Sequence, residues 1–259
     1  MGKIVIEVCC GSVDDAVRAA EAGADRVELN SALFVGGLTP SVGALLESKA
    51  RVDIPIISMI RPRAGGFCYT DLEFETMLRD TRELAEAGTD GFAVGFLTAE
   101  GWLDEERCKI WVEAAGDREL VFHRAFDIMK NEPEEVLPRL AELGFKRILT
   151  SGREPSAPAG KEMIRRCVEV GAVQVLAGGG VRAGNVGELI QSTGCRQVHF
   201  SCHMKISDTS VRGAKLSFGL PNVSNVPEDE KFDIIDTNKL SDLVRLIRAL
   251  PEFYGSVEV

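Results

Sequence analysis

The residues best suited to chemistry are charged groups placed inside apolar segments that are typical of β-strands. Glu7, Glu28, Arg61 and His123 each interrupt such a segment. Burying an unpaired charge is costly, so these groups must be paired or in contact with water. Carboxylates and a histidine supply acid–base chemistry when burial and neighbouring charges shift their pKa values. We therefore predict that Glu7, Glu28, Arg61, His123 and Asp127 are catalytic; the alternative is a buried ion-pair layer that only fills the fold.

A second group of residues is suited to binding an anion. MIRPRAGGFCY carries Arg61 and Arg63, and FHRAFD adds Arg124. A planar guanidinium matches a carboxylate or a phosphate. Glycines let backbone N–H groups approach an anion, although AGGGV is also compatible with a tight turn that binds nothing. The predicted substrate-binding residues are Arg63, Arg124, Ser151, Gly178, Gly179, Gly180, His199 and Ser201.

Soft metal ligands form a third group. Side chains alternate along a strand, so Cys9 shares a face with Glu7 while Cys10 points away, and the two cysteines are poorly placed to chelate one ion. Thiolate and imidazole are suitable for Cu(I) or zinc. We predict Cys9 as a metal ligand, with His199 or Cys202 as its partner. The seven cysteines include no CxxC pair, which argues against a disulfide framework.

A repeated unit must position these residues. Five times an amphipathic run leads through a glycine into a short apolar strand, as expected where a helix ends on a residue that tolerates left-handed geometry. Further strands are predicted at Ile4–Cys10, Pro55–Arg61 and Leu120–Phe126. Eight strands, each followed by a helix or a helix-sized segment, favour a (β/α)8 TIM barrel with residues 1–259 as a single domain. The helix-ending glycines are Gly23, Gly88, Gly144, Gly171 and Gly194.

A doubly wound open sheet is the alternative, but GxGxxG is missing after the first strand. In a barrel, active sites form at the carboxyl-terminal mouth, and alternation turns the polar strand residues toward the lumen. A long excursion over about residues 203–236 follows strand eight, and we predict that it is either a functional flap or a mobile loop. A last helix is predicted over about 238–250.

Composition excludes several classes of protein. Forty acidic residues oppose thirty basic ones, which gives a net charge of −10. A nucleic-acid surface needs a basic excess, so we expect no nucleic-acid partner. No run approaches the roughly 18 apolar residues of a spanning helix, and no secretory signal is recognisable, so we expect no membrane partner. Reduced thiols fit a cytoplasmic protein.

The motifs GADRVEL, GGLTPS, MIRPR, FHRAFD, LTSG and AGGGV, in this order, resemble the CutC family over about residues 7–201. The resemblance implies a (β/α)8 barrel, a cytosolic homodimer or homotetramer, and an association with copper tolerance and Cu(I) binding. Some animal members of the family were proposed to bind Cu(I) through two cysteines. Cys9 matches the first of these positions, whereas Asn30 occupies the second.

Two functions from different classes therefore remain. The first is copper homeostasis, with a copper ion as the partner and Cu(I) bound near the mouth through Cys9. The second is an enzyme that acts on a small anionic or sugar-like metabolite by acid–base chemistry. In that hypothesis Arg61 and Arg63 hold the anion, while Glu7, Glu28, His123 and Asp127 move protons.

Overall fold

The computed structural model describes residues 3–212 and 230–250. Eight parallel strands close into a barrel in which each strand pairs with its neighbours in chain order, and the last pairs with the first. The predicted (β/α)8 barrel is therefore confirmed. The strands are β1 (Val5–Cys10), β2 (Arg26–Leu29), β3 (Ile56–Met59), β4 (Gly91–Val94), β5 (Glu119–Phe122), β6 (Arg147–Thr150), β7 (Gln174–Gly178) and β8 (Gln197–Phe200).

Helices surround the barrel and begin and end where side-chain chemistry predicts. Thr70 and Glu73 form a complete capping box at one helix start, and Pro133 occupies the first turn of another. All five predicted helix-ending glycines have positive φ. The helices are α1 (Val13–Glu21), α2 (Val42–Lys49), α3 (Asp71–Glu86), α4 (Glu105–Ala115), α5 (Pro133–Glu142), α6 (Lys161–Val170), α7 (Val186–Thr193) and α8 (Thr237–Arg248). Within the described ranges, none of them combines the length and apolarity needed to cross a membrane.

The core has two layers because strand residues alternate between the lumen and the helices. Val8, Val27 and Val198 belong to the large outer cluster, which packs against the helix layer. A smaller inner cluster fills the lumen with apolar side chains from β3 to β7: Ile57, Met59, Ala93, Val121, Leu149 and Leu176. The polar side chains in the lumen come from three adjacent strands, β8, β1 and β2, and therefore lie on one side of the barrel. They include Cys9, Glu28 and His199.

Strand β3 spans Ile56–Met59 rather than the predicted Pro55–Arg61, and two further elements differ more from the sequence predictions. Strand β5 ends at Phe122 rather than Phe126, because the next residues form a 3-10 helix, Arg124–Ile128, that His123 caps by accepting a hydrogen bond from the Ala125 N–H. The excursion after β8 contains an antiparallel hairpin of β9 (His203–Asp208) and β10 (Glu230–Ile235). The rest of the predicted excursion, residues 213–229, lies outside the described residues.

Candidate functional site

A cavity of about 580 Å³ opens at the carboxyl-terminal ends of the barrel strands, where such folds hold their active sites. The structure brings many of the predicted site residues together here, whereas Glu7, Arg63, Ser151 and Gly178 do not line the cavity. The predicted residues in its lining are Cys9, Glu28, Arg61, His123, Arg124, Asp127, Gly179, Gly180, His199 and Ser201.

Glu7 lies beneath the cavity floor and holds two cationic partners. Its Oε1 atom is 2.8 Å from Nδ1 of His199, and its Oε2 atom accepts a hydrogen bond from Nε of Arg26. Burial raises the pKa of Glu7, but Arg26 and His199 outweigh it and lower that pKa to about 2. Glu7 is therefore an ionised group that orients His199. Arg26 was missed from the sequence, although it alternates with Glu28 in RVEL and so shares its face.

Cys9, Glu28 and His199 form the chemical centre of the cavity floor, and their ligand atoms all lie within 4.8 Å of one another. Strand register explains this, because Cys9 is opposite Glu28 on β2, and Glu7, two residues before Cys9, is opposite His199 on β8. The Cys9 Sγ–Glu28 Oε2 distance is 3.7 Å, and Glu28 Oε2 lies 3.9 Å from His199 Nε2. We call these three residues the Cys9 centre.

Burial sets the protonation states of this centre. It raises the pKa of the Cys9 thiol to about 12, and it also raises the pKa of Glu28. Burial opposes a charge on His199 as well, but the Glu28 carboxylate, together with the contacts to Cys9 and Glu7, more than compensates, and the pKa of His199 lies well above its ordinary value. The centre thus holds protons that a bound metal ion would have to displace from Cys9 and His199.

Asn30, the position where the resemblance implies a second cysteine, contacts two residues of the Cys9 centre. Its Nδ2 atom donates to Glu28 Oε2 at 3.0 Å and lies 3.6 Å from Cys9 Sγ. Cys202, the other predicted soft partner, packs against the outer cluster and is not part of the Cys9 centre. Of the two partners predicted for Cys9, the structure therefore brings only His199 to it.

The two arginines predicted to hold an anion are occupied by the chain itself. Arg61 lines the cavity, but it donates to the carbonyl oxygens of Val35, Gly37 and Gly65 at 2.7–3.0 Å. Arg63 pairs with Glu73 at 2.5 Å and donates to three further carbonyls, away from the cavity. These arginines order the loop after β3, a role that side-chain type alone does not reveal.

The wall formed by β5, β6 and β7 carries a bonded polar cluster. Arg124 donates from Nε to Asp127 at 2.7 Å and from Nη2 to the Ser151 hydroxyl at 2.7 Å. The other Asp127 oxygen accepts from the Thr150 hydroxyl and the Ser151 N–H. Both carboxylate oxygens of Asp127 are therefore bonded to neighbouring groups of the chain. A Cβ at Gly179, where φ is +96°, would lie 3.2 Å from the Ser151 Cβ.

The β9–β10 hairpin also reaches the cavity, through His203 and Asp233. The buried carboxylate of Asp15 ties it to the barrel, because one oxygen accepts from the Ile235 N–H at 2.8 Å and the other from the Gly11 N–H at 2.9 Å. Sequence reasoning missed this contribution, since the two residues of the main tether are separated by 220 positions.

The chain is similar to known proteins in both sequence and structure. The CutC family matches residues 4–204. A family protein CutC from Treponema denticola is 40% identical over 252 residues, which cover 96% of this chain and 100% of the relative. The human copper homeostasis protein cutC homolog is 41% identical over 82% of this chain and 81% of its own length. A crystal structure of CutC from Streptococcus agalactiae superposes with a TM-score of 0.72 at 35% identity, over 76% of this chain and 98% of that chain.

Proposed function

Because the chain belongs to the CutC family, we propose that it acts in copper homeostasis by binding Cu(I) at the Cys9 centre. The observation that carries the proposal is the approach of a thiol, an imidazole and a carboxylate to within 4.8 Å. Sulfur and imidazole nitrogen suit Cu(I), which would be held by Cys9 and His199 as cargo rather than as a resident cofactor. The Glu28 carboxylate is a harder ligand and would accept one of the two displaced protons, and the other would pass to solvent.

The donor set also fits Zn(II), since two nitrogen or sulfur ligands and one carboxylate leave an open coordination position. The two ions differ in what they need from Glu28. Cu(I) binding rests on Cys9 and His199, so Glu28→Gln should keep most of the Cu(I) affinity. Zn(II) binding uses the carboxylate as a ligand and should be lost in the same variant. This contrast supports the choice of Cu(I) if it is observed.

Competition with a chromophoric Cu(I) chelator under anaerobic reducing conditions tests the proposal. The wild-type chain should withdraw one Cu(I) per chain, and Cys9→Ser and His199→Gln should each lose this uptake. Cys202→Ser is the matched control, because Cys202 lies near the same barrel end but outside the Cys9 centre. Uptake by Cys9→Ser equal to that of the control would overturn the site.

A second candidate function is acid–base catalysis on a small anionic metabolite. The specific observation that favours it is that Glu28, with a raised pKa, faces His199 in a cavity that also holds Arg124 and Arg182. A carboxylic acid and a histidine that share a proton can give and take it at a bound carbon or oxygen. We expect Glu28→Gln to lose the turnover of a metabolite that the wild-type chain converts. The melting temperature and probe binding of the variant should be retained. Turnover that persists in Glu28→Gln excludes this role.

A further inference from the structure

His123 presents a hydrogen-bond donor that the chain leaves without a partner. The side chain is 3% exposed and lines the cavity, and its Nε2 atom is buried and bonded to nothing within the described residues. A buried polar nitrogen without a partner is destabilising, so its presence at a cavity calls for a ligand that pairs it.

The other ring nitrogen fixes the tautomer of His123. Nδ1 lies 3.2 Å from the Ala125 backbone nitrogen, whose N–H can only donate, so Nδ1 is the acceptor and carries no proton. Burial lowers the pKa of His123 to about 3, and Arg61 acts in the same direction. The imidazole is therefore neutral with its proton on Nε2, and it offers an N–H donor rather than a base.

The Phe67 side chain lies beside this donor. The Phe67 ring packs on the His123 ring with 4.7 Å between centroids. Phe67 directly follows Gly65 and Gly66, and a Cβ placed on Gly66 would meet nothing within 4 Å. A ligand that pairs with Nε2 would have to displace the Phe67 side chain, which packs on the His123 ring and also lines the cavity.

The same cavity holds a cation that the described chain does not neutralise. Arg182 lines the cavity, donates to its neighbouring carbonyl of Val181, and forms no ion pair within residues 3–212 and 230–250. The carboxylates of the cavity are already bonded elsewhere: Asp127 to Arg124, Asp233 to Lys205, and Glu28 to Asn30. Arg182 is therefore available to an anionic group. Arg124 can add its Nη1 atom, because its Nε and Nη2 atoms are bonded to Asp127 and Ser151.

We propose that the cavity binds a small organic anion that carries a carbonyl, with the carbonyl oxygen accepting from His123 Nε2–H and the anionic group, phosphate or carboxylate, held by Arg182 and Arg124. This inference rests on the second candidate function and names its substrate class. The neutral histidine polarises the carbonyl, which makes a proton on the adjacent carbon easier to remove. His123 would thus be a catalytic electrophile in the cavity that Glu28 and His199 also line.

Paired probes test the inference by thermal shift and titration calorimetry. Dihydroxyacetone phosphate and glycerol 3-phosphate differ at the carbonyl, while pyruvate replaces the phosphate by a carboxylate. A carbonyl probe at ten times its Kd should raise the melting temperature by about 4 °C. We expect dihydroxyacetone phosphate or pyruvate to bind at least about tenfold more tightly than glycerol 3-phosphate or inorganic phosphate. Equal binding of all four, or binding of none, overturns the inference.

Variants separate the donor from the shape of the site. His123→Phe should remove the preference for the carbonyl probe, and His123→Gln, which keeps an N–H donor, should restore part of it. Arg182→Gln should weaken all the anionic probes together. If His123→Phe fails to fold, the wild-type protein still gives a test, because the chain has only three histidines and ¹⁵N NMR distinguishes their tautomers. A proton on Nδ1 of His123, or an Nε2–H signal that the probe leaves unmoved, would refute the donor role.

Turnover is recorded on the same samples by proton NMR. Carbonyl-dependent binding without turnover keeps the ligand class and counts against the catalytic function. Absence of binding overturns the ligand class, and turnover of a different metabolite would leave the catalytic function standing. Cu(I) uptake is measured in a separate experiment, so its result does not decide whether the cavity binds an organic anion.

Discussion

Glu7 and His199 face each other across the pairing of β1 with β8, and the carboxylate oxygen of Glu7 lies 2.8 Å from Nδ1 of His199. This contact fixes the imidazole so that Nε2 points toward Glu28 and Cys9. A carboxylate behind a histidine raises its basicity and fixes its tautomer, as in many metal sites. The same contact therefore serves both proposed functions, because metal binding and proton transfer each need Nε2 held in place.

Acid stability should report the contacts of Glu7 with Arg26 and His199, which lower its pKa. Its folded pKa, about 2, lies below its ordinary value of 4.5, so its contribution to stability is complete above about pH 4.5 and is lost as the pH falls toward 2. A shift of this size corresponds to about 3 kcal/mol. Urea unfolding between pH 2.5 and 7 should show wild type and Glu7→Gln converging as the pH falls. If the unfolding free energies of the two proteins differ by the same amount at every pH, the low pKa assigned to Glu7 is wrong.

The high pKa of Cys9 predicts slow alkylation. At pH 8 a thiol with a pKa of about 12 has roughly a thousandth of the thiolate of a thiol whose pKa has the ordinary value of 9.0. Because Cys9 keeps its proton and Cys68 is exposed to the reagent, iodoacetamide should modify Cys68 well before Cys9, as followed by peptide mass spectrometry. At pH 10, Cu(I) should slow the modification of Cys9 and leave Cys68 unaffected. Equal protection of both would show that copper binds without selectivity.

Gly179 should tolerate no side chain. Its φ of +96° is strained for any other residue, and an added Cβ would approach Ser151 at 3.2 Å. We expect Gly179→Ala to lower the free energy of unfolding by about 1–2 kcal/mol and to weaken anion binding next to Arg124. Gly184→Ala is the control, since no atom lies within 4 Å of the added Cβ and its φ is not positive. Similar unfolding free energies for the two variants would refute the argument.

The sequence predicts the barrel well because its signals are local. Helix-ending glycines such as Gly144 and alternation within short strands depend only on neighbours along the chain. The same alternation placed Glu28 and Cys9 in one lumen. The functions of Arg61 and Arg63 were not predictable, because their partners are backbone carbonyls whose positions only the folded loop defines.

The contact between Asp15 and Ile235 shows a second limit of prediction from the sequence. No periodic pattern links residues so far apart in the chain, and the hairpin that they anchor begins in a segment without helical signals. The mouth of the cavity was therefore predictable from the strands, whereas its covering was not. Long-range pairing of this kind follows from tertiary packing rather than from local propensity.

Asn30→Cys should convert the Cys9 centre into a site with two thiols. Asn30 is buried, and its Nδ2 atom lies 3.6 Å from Cys9 Sγ, so a thiol at this position would lie within reach of the same ion. Two thiolates bind Cu(I) more tightly than a thiolate and an imidazole, and we expect the Kd to fall on the order of 100-fold in chelator competition under reducing conditions. Asn30→Ser is the control, because it removes the same amide contact to Glu28 without adding sulfur. If both variants bind Cu(I) equally, copper does not bind beside Cys9, and the acid–base function becomes the better account of the cavity.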